Sequence, residues 1–302
     1  MTDSHQDGRA GIDAALVRRL IGQQFPQWAD LPVTPVKIDG WDNRTYRLGT
    51  ELTARLPTHE SYTAAIDKEH EWLPVLAPYL PVAIPEAVAK GSPGEGYPFH
   101  WAIRLWIDGE TATVENIADL DEFARSIAEF ILALQSVDAT GGPLAGAHSF
   151  YRGAPPEYYH DETVEALAVL KGRIDTDLAR EVWDAALATS WDRPPVWLHG
   201  DLHPANVVVA DGTLAGVIDL GELGAGDPAT DLAAAWILLP VGAADRFFER
   251  YPADDAMVRR ARGWAVQRAL FLVAMGVNGD KGLPGGKPHW GPLGLEALER
   301  LL

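Results

Sequence analysis

Cysteine is absent from the 302 residues of this sequence, and basic residues are scarce. Without cysteine the protein has no disulfide bonds, no thiolate metal ligands and no cysteine nucleophile. The 25 Lys and Arg residues are outnumbered by 43 Asp and Glu residues, which gives a formal net charge of −18. Because nucleic-acid-binding proteins contact phosphates through clustered Lys and Arg, this balance argues against a nucleic-acid partner.

Long hydrophobic runs are also missing. The most apolar stretches, 233–244 and 269–277, are shorter than the roughly 20 residues that a membrane-spanning helix needs. The N-terminus has no basic segment followed by an apolar core, so we expect no signal peptide, no membrane partner and a cytoplasmic protein. The sequence does contain 47% hydrophobic residues, enough for a large core, and its length predicts about two domains.

The first 110 residues have the pattern of a β-rich lobe. Apolar residues at helical spacing predict a helix over 13–23, and a second helix is predicted over 63–76. Five β-prone runs are separated by turn residues and lie at 33–38, 44–48, 51–56, 86–90 and 99–106. The glycine-rich segment 91–96 between the last two runs is typical of a hairpin connection. This lobe is therefore predicted to be a small, mostly antiparallel five-stranded sheet with one inserted helix.

Residues 111–302 have a mainly helical pattern and carry most of the acidity, with a net charge of −13 against −5 for residues 1–110. Helices are predicted over 120–137, 161–171, 177–189, 228–238, 243–251, 254–275 and 293–302. Only two strands are predicted, 207–210 and 215–219, joined by the hairpin signal Asp211-Gly212. The predicted fold class is α+β, with an N-terminal lobe over 1–110 and a larger helical lobe over 111–302.

The clearest chemical pattern follows His199-Gly200. Asp201 is followed five residues later by Asn206, and thirteen residues after that by Asp219. The predicted hairpin fills the longer interval, so Asn206 and Asp219 are expected to face each other as oxygen ligands for Mg²⁺. Phosphoryl transfer needs such a metal site together with a carboxylate that orients the attacking hydroxyl group, and Asp201 is the candidate catalytic residue.

The motif HGDLHPAN, followed by IDLGELGAGDPATDLA, resembles the aminoglycoside phosphotransferase family, which has the bilobal fold of protein kinases. The kinase spacing of a catalytic Asp, an Asn and a metal-binding Asp is matched by Asp201, Asn206 and Asp219. The resemblance extends over nearly the whole chain. It implies a bilobal, protein-kinase-like enzyme that uses ATP or GTP and Mg²⁺ to phosphorylate a hydroxyl group of a small molecule.

The resemblance also implies a nucleotide site. Glu69 would pair with a basic strand residue, for which the third predicted strand offers Arg55 in place of the family's usual Lys. Lys37, just before the phosphate loop, is the alternative. Asp231 would anchor the catalytic loop from the following helix. The residues expected around the nucleotide are Gly40, Trp41, Asp42 and Asn43 over the phosphates and Leu105, Trp106 and Ile107 at the adenine ring.

For the acceptor, the resemblance implies first an aminoglycoside or a related cationic antibiotic, and hence an antibiotic-resistance enzyme. The same motif also resembles macrolide phosphotransferases and kinases for homoserine, choline or ketosamines. The acceptors of these enzymes therefore remain open alternatives. An acidic segment that contains Glu157, Asp161 and Glu162 is either a solvated helix start or a wall of the acceptor site that attracts an amine. Glu222 is a similar candidate.

Two other functional classes match parts of the sequence. A nucleotide-binding pseudokinase is disfavoured because all three motif residues are present. A zinc hydrolase could use His199 and His203 as ligands, but that interpretation leaves Asn206 and its distance from Asp219 unexplained. His199 is instead expected to be packed within the loop, and Asp227 to be a helix N-cap. The sequence does not decide between a monomer and a dimer.

Overall fold

The computed structural model describes residues 11–37, 40, 42–283 and 286–302, which divide into two compact units. The first unit comprises the described residues up to 78 together with 83–108 and 217–221. The second comprises 79–82, 109–216 and the described residues from 222 onwards. The predicted boundary after Glu110 lies just past the main segment of the first unit, but Asp219, which the prediction placed in the helical lobe, belongs to the first unit.

The first unit contains a five-stranded sheet in the order β1-β2-β3-β5-β4, in which all neighbouring strands are antiparallel. Its strands are β1 (Val33–Pro35), β2 (Asn43–Leu48), β3 (Leu52–Pro57), β4 (Ala87–Gly91) and β5 (Trp101–Leu105), and its helices are α1 (Ala14–Gln24) and α2 (Thr63–Leu76). This arrangement confirms the predicted antiparallel sheet with one inserted helix. The first strand is shorter than the predicted 33–38, and residues 38 and 39 lie outside the described part of the chain.

Helix α1 packs its apolar face on this sheet. It begins after Asp13, whose carboxylate accepts a hydrogen bond from the Leu16 N–H at 2.7 Å, as an N-cap does. In the hairpin between β4 and β5, Gly91 lies against Trp101, and a Cβ atom at Gly91 would be 2.0 Å from the indole ring. Glycine is therefore needed for Trp101 to be fully buried in the core that α1 and the sheet enclose.

The second unit is mainly helical. Its helices are α3 (Leu120–Ser136), α4 (His160–Val169), α5 (Thr176–Leu187), α6 (Ala229–Leu232), α7 (Ala234–Ile237), α8 (Ala243–Arg250), α9 (Asp255–Asp280) and α10 (Trp290–Leu301). The long helix α9 packs against α5 and α10, and it extends five residues beyond its predicted end at 275. The single helix predicted over 228–238 is instead the two short helices α6 and α7. Within the described residues, no helix is long and apolar enough to cross a bilayer.

Five short strands lie between residues 110 and 226, so the prediction of only two strands there is wrong. They are β6 (Glu110–Thr111), β7 (Val196–Leu198), β8 (Val207–Ala210), β9 (Thr213–Val217) and β10 (Gly224–Gly226). Strands β6, β8 and β9 form one sheet, and β7 pairs antiparallel with β10. Because β10 consists of Gly, Ala and Gly, the packing around it decides its pairing rather than any local preference.

The predicted hairpin between β8 and β9 is confirmed. Asp211 and Gly212 have φ angles of 50° and 77°, the left-handed pair of a two-residue type I′ turn. Asn206 directly precedes β8, so the start of this strand fixes its position. Asp219 lies two residues after β9 ends, and its φ angle of 61° is also in the left-handed region, which is uncommon for a residue other than glycine.

Candidate active site

The loop between β7 and β8 carries Asp201 and is fixed from the interior of the second unit. Asp231 of α6, which is 1% exposed, accepts hydrogen bonds from the backbone N–H groups of His199 at 2.7 Å and Gly200 at 2.8 Å. Burial raises the pKa of Asp231 above its ordinary value, although His199 and the two hydrogen bonds act in the opposite direction. The buried carboxylate therefore holds the backbone just before Asp201 in place.

Asp201 is positioned by side chains from its own loop and from α9. The Asn206 amide group donates to the Asp201 carbonyl oxygen at 2.9 Å and to Oδ2 at 3.2 Å. His203 Nε2 lies 3.4 Å from the same Oδ2. The other carboxylate oxygen, Oδ1, forms an ion pair with Arg268 of α9. These three side chains fix the direction of a carboxylate that is only 18% exposed.

Both histidines of the motif stabilise the shape of this loop. His199 is fully buried, and its Nδ1 accepts a hydrogen bond from the Asp201 N–H at 3.1 Å. His203 Nδ1 accepts from the Ala205 N–H at 3.3 Å. In the part of the chain that the structure describes, no group of three or more His, Cys, Asp or Glu residues is arranged to hold a metal ion. The zinc-hydrolase interpretation is therefore left without a ligand set among these residues.

Asp227 precedes α6 and has two partners in the second unit. Its Oδ1 accepts a hydrogen bond from the Ala229 N–H at 3.0 Å, but the N-cap of α6 is Pro228, so the predicted N-cap at Asp227 is one residue too early. Its Oδ2 lies 2.6 Å from Nε of Arg260 in α9. Both members of this ion pair are buried, so Asp227 joins the start of α6 to the long helix that also carries Arg268.

In the first unit, Glu69 of α2 lies between two arginines of the sheet. Arg104 of β5 pairs with it through two hydrogen bonds, with Nη1 2.8 Å from Oε1 and Nη2 bonded to Oε2. Arg55 of β3 places Nη1 3.5 Å from Oε1. Glu69 is fully buried and Arg104 is 2% exposed. The resemblance implied one basic partner for Glu69, whereas the structure supplies two.

Arg55 has further partners in the same unit. It forms an ion pair with Asp219, and the Asn43 amide oxygen, when turned toward it, accepts from Nε and Nη2 at 3.0 Å each. Burial acts to lower the pKa of Arg55, but the carboxylates of Asp219 and Glu69 outweigh it and raise the pKa above its ordinary value. Lys37 is exposed. The structure thus places Arg55, and not Lys37, beside Glu69.

The remaining residues predicted around the nucleotide phosphates lie in the segment 40–43. Gly40 is exposed, and Trp41 lies outside the described residues. The Asp42 carbonyl oxygen accepts hydrogen bonds from the Thr58 N–H at 2.8 Å and from the Thr58 hydroxyl group at 3.0 Å. These bonds tie the segment to the residue that follows β3.

The predicted hinge begins at the end of β5. The backbone N–H groups of Leu105 and Trp106 donate to the carbonyl oxygens of Glu86 at 3.0 Å and Glu51 at 2.8 Å. The guanidinium group of Arg47 lies 4.1 Å from the centre of the Trp106 ring. Of the three predicted hinge residues, Ile107 is the one whose N–H is not used in these bonds.

The carboxylates predicted to form an acceptor wall lie in two different environments. Glu157, Asp161 and Glu162 are exposed, in the turn before α4 and in its first turn. The Glu222 side chain is only 17% exposed, and its Oε2 lies 3.2 Å from Nε of the buried Arg152. A cation therefore balances the charge of Glu222, whereas the other three carboxylates face solvent.

A family comparison matches most of this chain. The model of the phosphotransferase enzyme family, APH, matches residues 33–270. This chain belongs to that phosphotransferase family. The predicted α+β, kinase-like fold and the assignment as a phosphotransferase are thereby confirmed.

Solved structures share the fold of this phosphotransferase. The GDP complex of wild-type aminoglycoside 2'-phosphotransferase-IIIa has a TM-score of 0.70 at 17% identity, over 96% of this chain and 98% of that chain. Macrolide 2'-phosphotransferase MphH from Brachybacterium faecium has a TM-score of 0.57 at 22% identity, over 93% and 98%. ADP-bound aminoglycoside phosphotransferase APH(2'')-Ib has a TM-score of 0.55 at 18% identity, over 96% and 98%. No curated protein matches the sequence significantly.

The two residues predicted as Mg²⁺ ligands belong to different units of this phosphotransferase, and each offers an oxygen donor. Asn206 uses its amide nitrogen to bond Asp201, so its amide oxygen is the atom suited to a cation. Asp219 supplies a carboxylate, which Arg55 contacts. A carboxylate and an amide oxygen are hard ligands of the kind that Mg²⁺ binds together with water and phosphate oxygens.

Three arginines of the candidate site were not predicted from the sequence of this phosphotransferase. Arg104 is 35 residues from Glu69, Arg152 is 70 residues from Glu222, and Arg268 is 67 residues from Asp201, so no local spacing connects the partners. A weak signal exists for Arg104, because it is a charged residue within the apolar strand Trp101–Leu105. A charge in a buried strand requires a buried partner.

Proposed function

We propose that this phosphotransferase transfers the γ-phosphoryl group of ATP or GTP to a hydroxyl group of a small molecule. The observation that supports this most is the carboxylate of Asp201, directed by Asn206, His203 and Arg268. In this proposal Asp201 orients the acceptor hydroxyl group and accepts its proton. A bond forms between the hydroxyl oxygen and the γ-phosphorus as the bond to the bridging nucleotide oxygen breaks, and the nucleoside diphosphate leaves.

The first unit supports the nucleotide part of the proposal. Arg55 would contact phosphate oxygens with a guanidinium group oriented by Glu69, and the segment that contains Gly40, Trp41, Asp42 and Asn43 would cover them. The N–H group of Ile107 would donate to the nucleotide base, next to Leu105 and Trp106. Arg104 would act as a positioning residue, because it holds Glu69 from the opposite side.

Mg²⁺ is the proposed cofactor, with Asn206 and Asp219 as its protein ligands. This assignment rests on their spacing from Asp201 in the sequence and on the oxygen donors that they offer. When held by Asn206 and Asp219, Mg²⁺ would neutralise charge on the nucleotide phosphates.

Two acceptor classes have support. The exposed carboxylates of Glu157, Asp161 and Glu162 would attract the amines of an aminoglycoside, and the likeness of the fold to aminoglycoside and macrolide phosphotransferases favours an antibiotic acceptor. An antibiotic-resistance role follows if such an acceptor is turned over. The second candidate is a small metabolite alcohol, and the specific observation in its favour is the ion pair between Arg268 and Asp201.

A screen of nucleoside diphosphate release tests the proposal. ATP or GTP would be supplied with Mg²⁺ and with aminoglycosides, macrolides or metabolite alcohols, and ³¹P NMR would identify the phosphate ester. We expect turnover of at least one acceptor, and we expect D201A to lower kcat by roughly 10²-fold or more while nucleotide affinity is unchanged. The matched control is D192A, which removes an exposed carboxylate of the same unit.

Two outcomes contradict the proposal. Near-normal kcat in D201A would remove Asp201 from the mechanism. The absence of a phosphate ester with every acceptor would contradict the transfer reaction itself.

A further inference from the structure

One buried and one half-buried arginine lie near the candidate catalytic carboxylate, in a site for which the sequence predicted an excess of acids. Arg268 pairs with Asp201 Oδ1, and its side chain is 12% exposed. Arg152 is 5% exposed and contacts Glu222 at 3.2 Å and Gln267 Oε1 at 3.1 Å. Because Gln267 and Arg268 are neighbours in α9, both arginines are anchored to the same turn of this helix.

Aromatic rings, in addition to these carboxylates, surround the two guanidinium groups. The Arg152 guanidinium lies 5.6 Å from the centre of the Tyr159 ring and 5.8 Å from that of Trp264. Burial lowers the pKa of Arg268 well below its ordinary value, and the charge of Arg152 lowers it further. A further anion beside Arg268 would therefore be stabilised by the guanidinium group.

The acceptor hydroxyl group has to reach an oxygen of Asp201 in this environment. Oδ2 is already contacted by Asn206 and His203, and Oδ1 forms an ion pair with Arg268 without a hydrogen bond. A group that draws the guanidinium of Arg268 toward itself leaves Oδ1 available to the hydroxyl group. A carboxylate or phosphate group can do this, because it accepts two parallel hydrogen bonds from a guanidinium.

We propose that Arg268 is a specificity-determining residue that binds an oxyanion, a carboxylate or phosphate group, carried by the acceptor close to the hydroxyl that is phosphorylated. This proposal rests on the proposed function and narrows its acceptor class. Acidic alcohols are preferred over amino alcohols of equal size, because an ammonium group at the same place would meet the charges of Arg268 and Arg152.

Anion binding tests this proposal without requiring turnover. Acetate and inorganic phosphate, each in turn, are titrated into the ¹⁵N-labelled full-length chain, and the arginine Nε–H resonances are followed by NMR. We expect a saturable shift that R268Q loses or weakens by at least about tenfold. The control R259Q removes an exposed arginine of the same helix and should bind as the wild type does. Equal affinity in R268Q and the wild type would overturn the proposal.

Two more variants separate oxyanion binding from a structural effect of the substitution. R268K retains the charge without the paired donors, so it should recover part of the affinity. D201N removes the partner that competes for Arg268, so it should bind the same anion more tightly than the wild type. The same affinity in D201N as in the wild type would mean that Arg268 does not exchange between Asp201 and the anion, and the proposal would fail.

Steady-state kinetics distinguish this proposal from the proposed function. For an oxyanion-bearing acceptor, R268Q should raise KM by at least about tenfold and change kcat less. Turnover of such an acceptor with the same KM in R268Q would refute the role of Arg268 while the phosphotransferase function stands. Anion binding at Arg268 without transfer to any acceptor would refute the proposed function instead.

Discussion

Replacement of Glu69 by Gln should destabilise the first unit, because it removes a carboxylate that the buried Arg104 and the half-buried Arg55 share. Two hydrogen bonds join Glu69 to Arg104, and Arg55 Nη1 lies 3.5 Å from Oε1. In E69Q, the amide oxygen can accept one of the two bonds from Arg104. The amide NH₂ group then faces the other guanidinium N–H, so that donor is left without an acceptor.

The size of the loss in unfolding free energy depends on which arginine has other partners. Arg55 also contacts Asp219 and Asn43. Arg104 is 2% exposed, and its Nε has no acceptor among the described residues. Removal of one partner from a buried ion pair costs about 3–5 kcal/mol, because the remaining charge is poorly solvated. We therefore expect E69Q to lower the free energy of unfolding by about 3 kcal/mol or more, chiefly through Arg104.

Urea unfolding followed by circular dichroism and tryptophan fluorescence measures this loss. With a denaturant slope of about 2–3 kcal/mol/M, the midpoint should fall by about 1 M or more. The control E71Q makes the same change at an exposed position of α2 and should alter stability by less than about 0.5 kcal/mol. The double variant E69Q/R104M should be more stable than E69Q, because it removes the unpaired cation. Equal midpoints for E69Q and E71Q would refute this reasoning.

Two other substitutions test local features of the fold by the same unfolding measurement. D254A should lower stability at pH 7 by about 1 kcal/mol, since Asp254 caps α9 by accepting from the Met257 N–H at 2.8 Å. That hydrogen bond holds the pKa of Asp254 below its ordinary value. The difference in unfolding free energy between D254A and the wild type should therefore persist above about pH 4 and shrink as the pH falls through the folded-state pKa. A pH-independent difference would contradict the role of the charge. G91A should destabilise the protein by about 1–3 kcal/mol, because its Cβ atom would overlap Trp101. In the control G22A, the new Cβ atom in α1 meets open space, so this variant should stabilise the protein by about 0.5–1 kcal/mol. Equal unfolding midpoints for G91A and the wild type would show that the end of β4 can move away from the indole.

The elements that have a strong local pattern were predictable from the sequence. Helix α2 has the predicted ends, and β8 and the type I′ turn that follows it lie where the apolar run and the Asp-Gly pair predicted them. Strands β7 and β10 were missed, because three residues are too few to show an alternation and Gly224-Ala225-Gly226 carries no β-branched or aromatic side chain. Their pairing exists only once the surrounding chain has folded.

In the candidate site, too, some contacts were predictable from the sequence and others were not. Asp201 and Asn206 belong to one loop, so their linear spacing was enough to predict that they are close, and the structure places them in hydrogen-bond contact. Arg104 and Arg268 reach their partners from a distant strand and a distant helix. Such contacts depend on how helices and strands pack, which a spacing rule within one segment does not describe. The balance of charge around Asp201 therefore could not be predicted from the sequence.

The left-handed backbone of Asp219 decides how its carboxylate can be studied. At a φ angle of 61°, alanine is strained, whereas asparagine and glycine adopt this conformation readily. A loss of function in an alanine variant would therefore combine a missing charge with a distorted chain. Asparagine keeps the shape and removes the charge, and glycine keeps the shape and removes the side chain. At this position, these two replacements separate what the carboxylate contributes from what the bend in the backbone contributes.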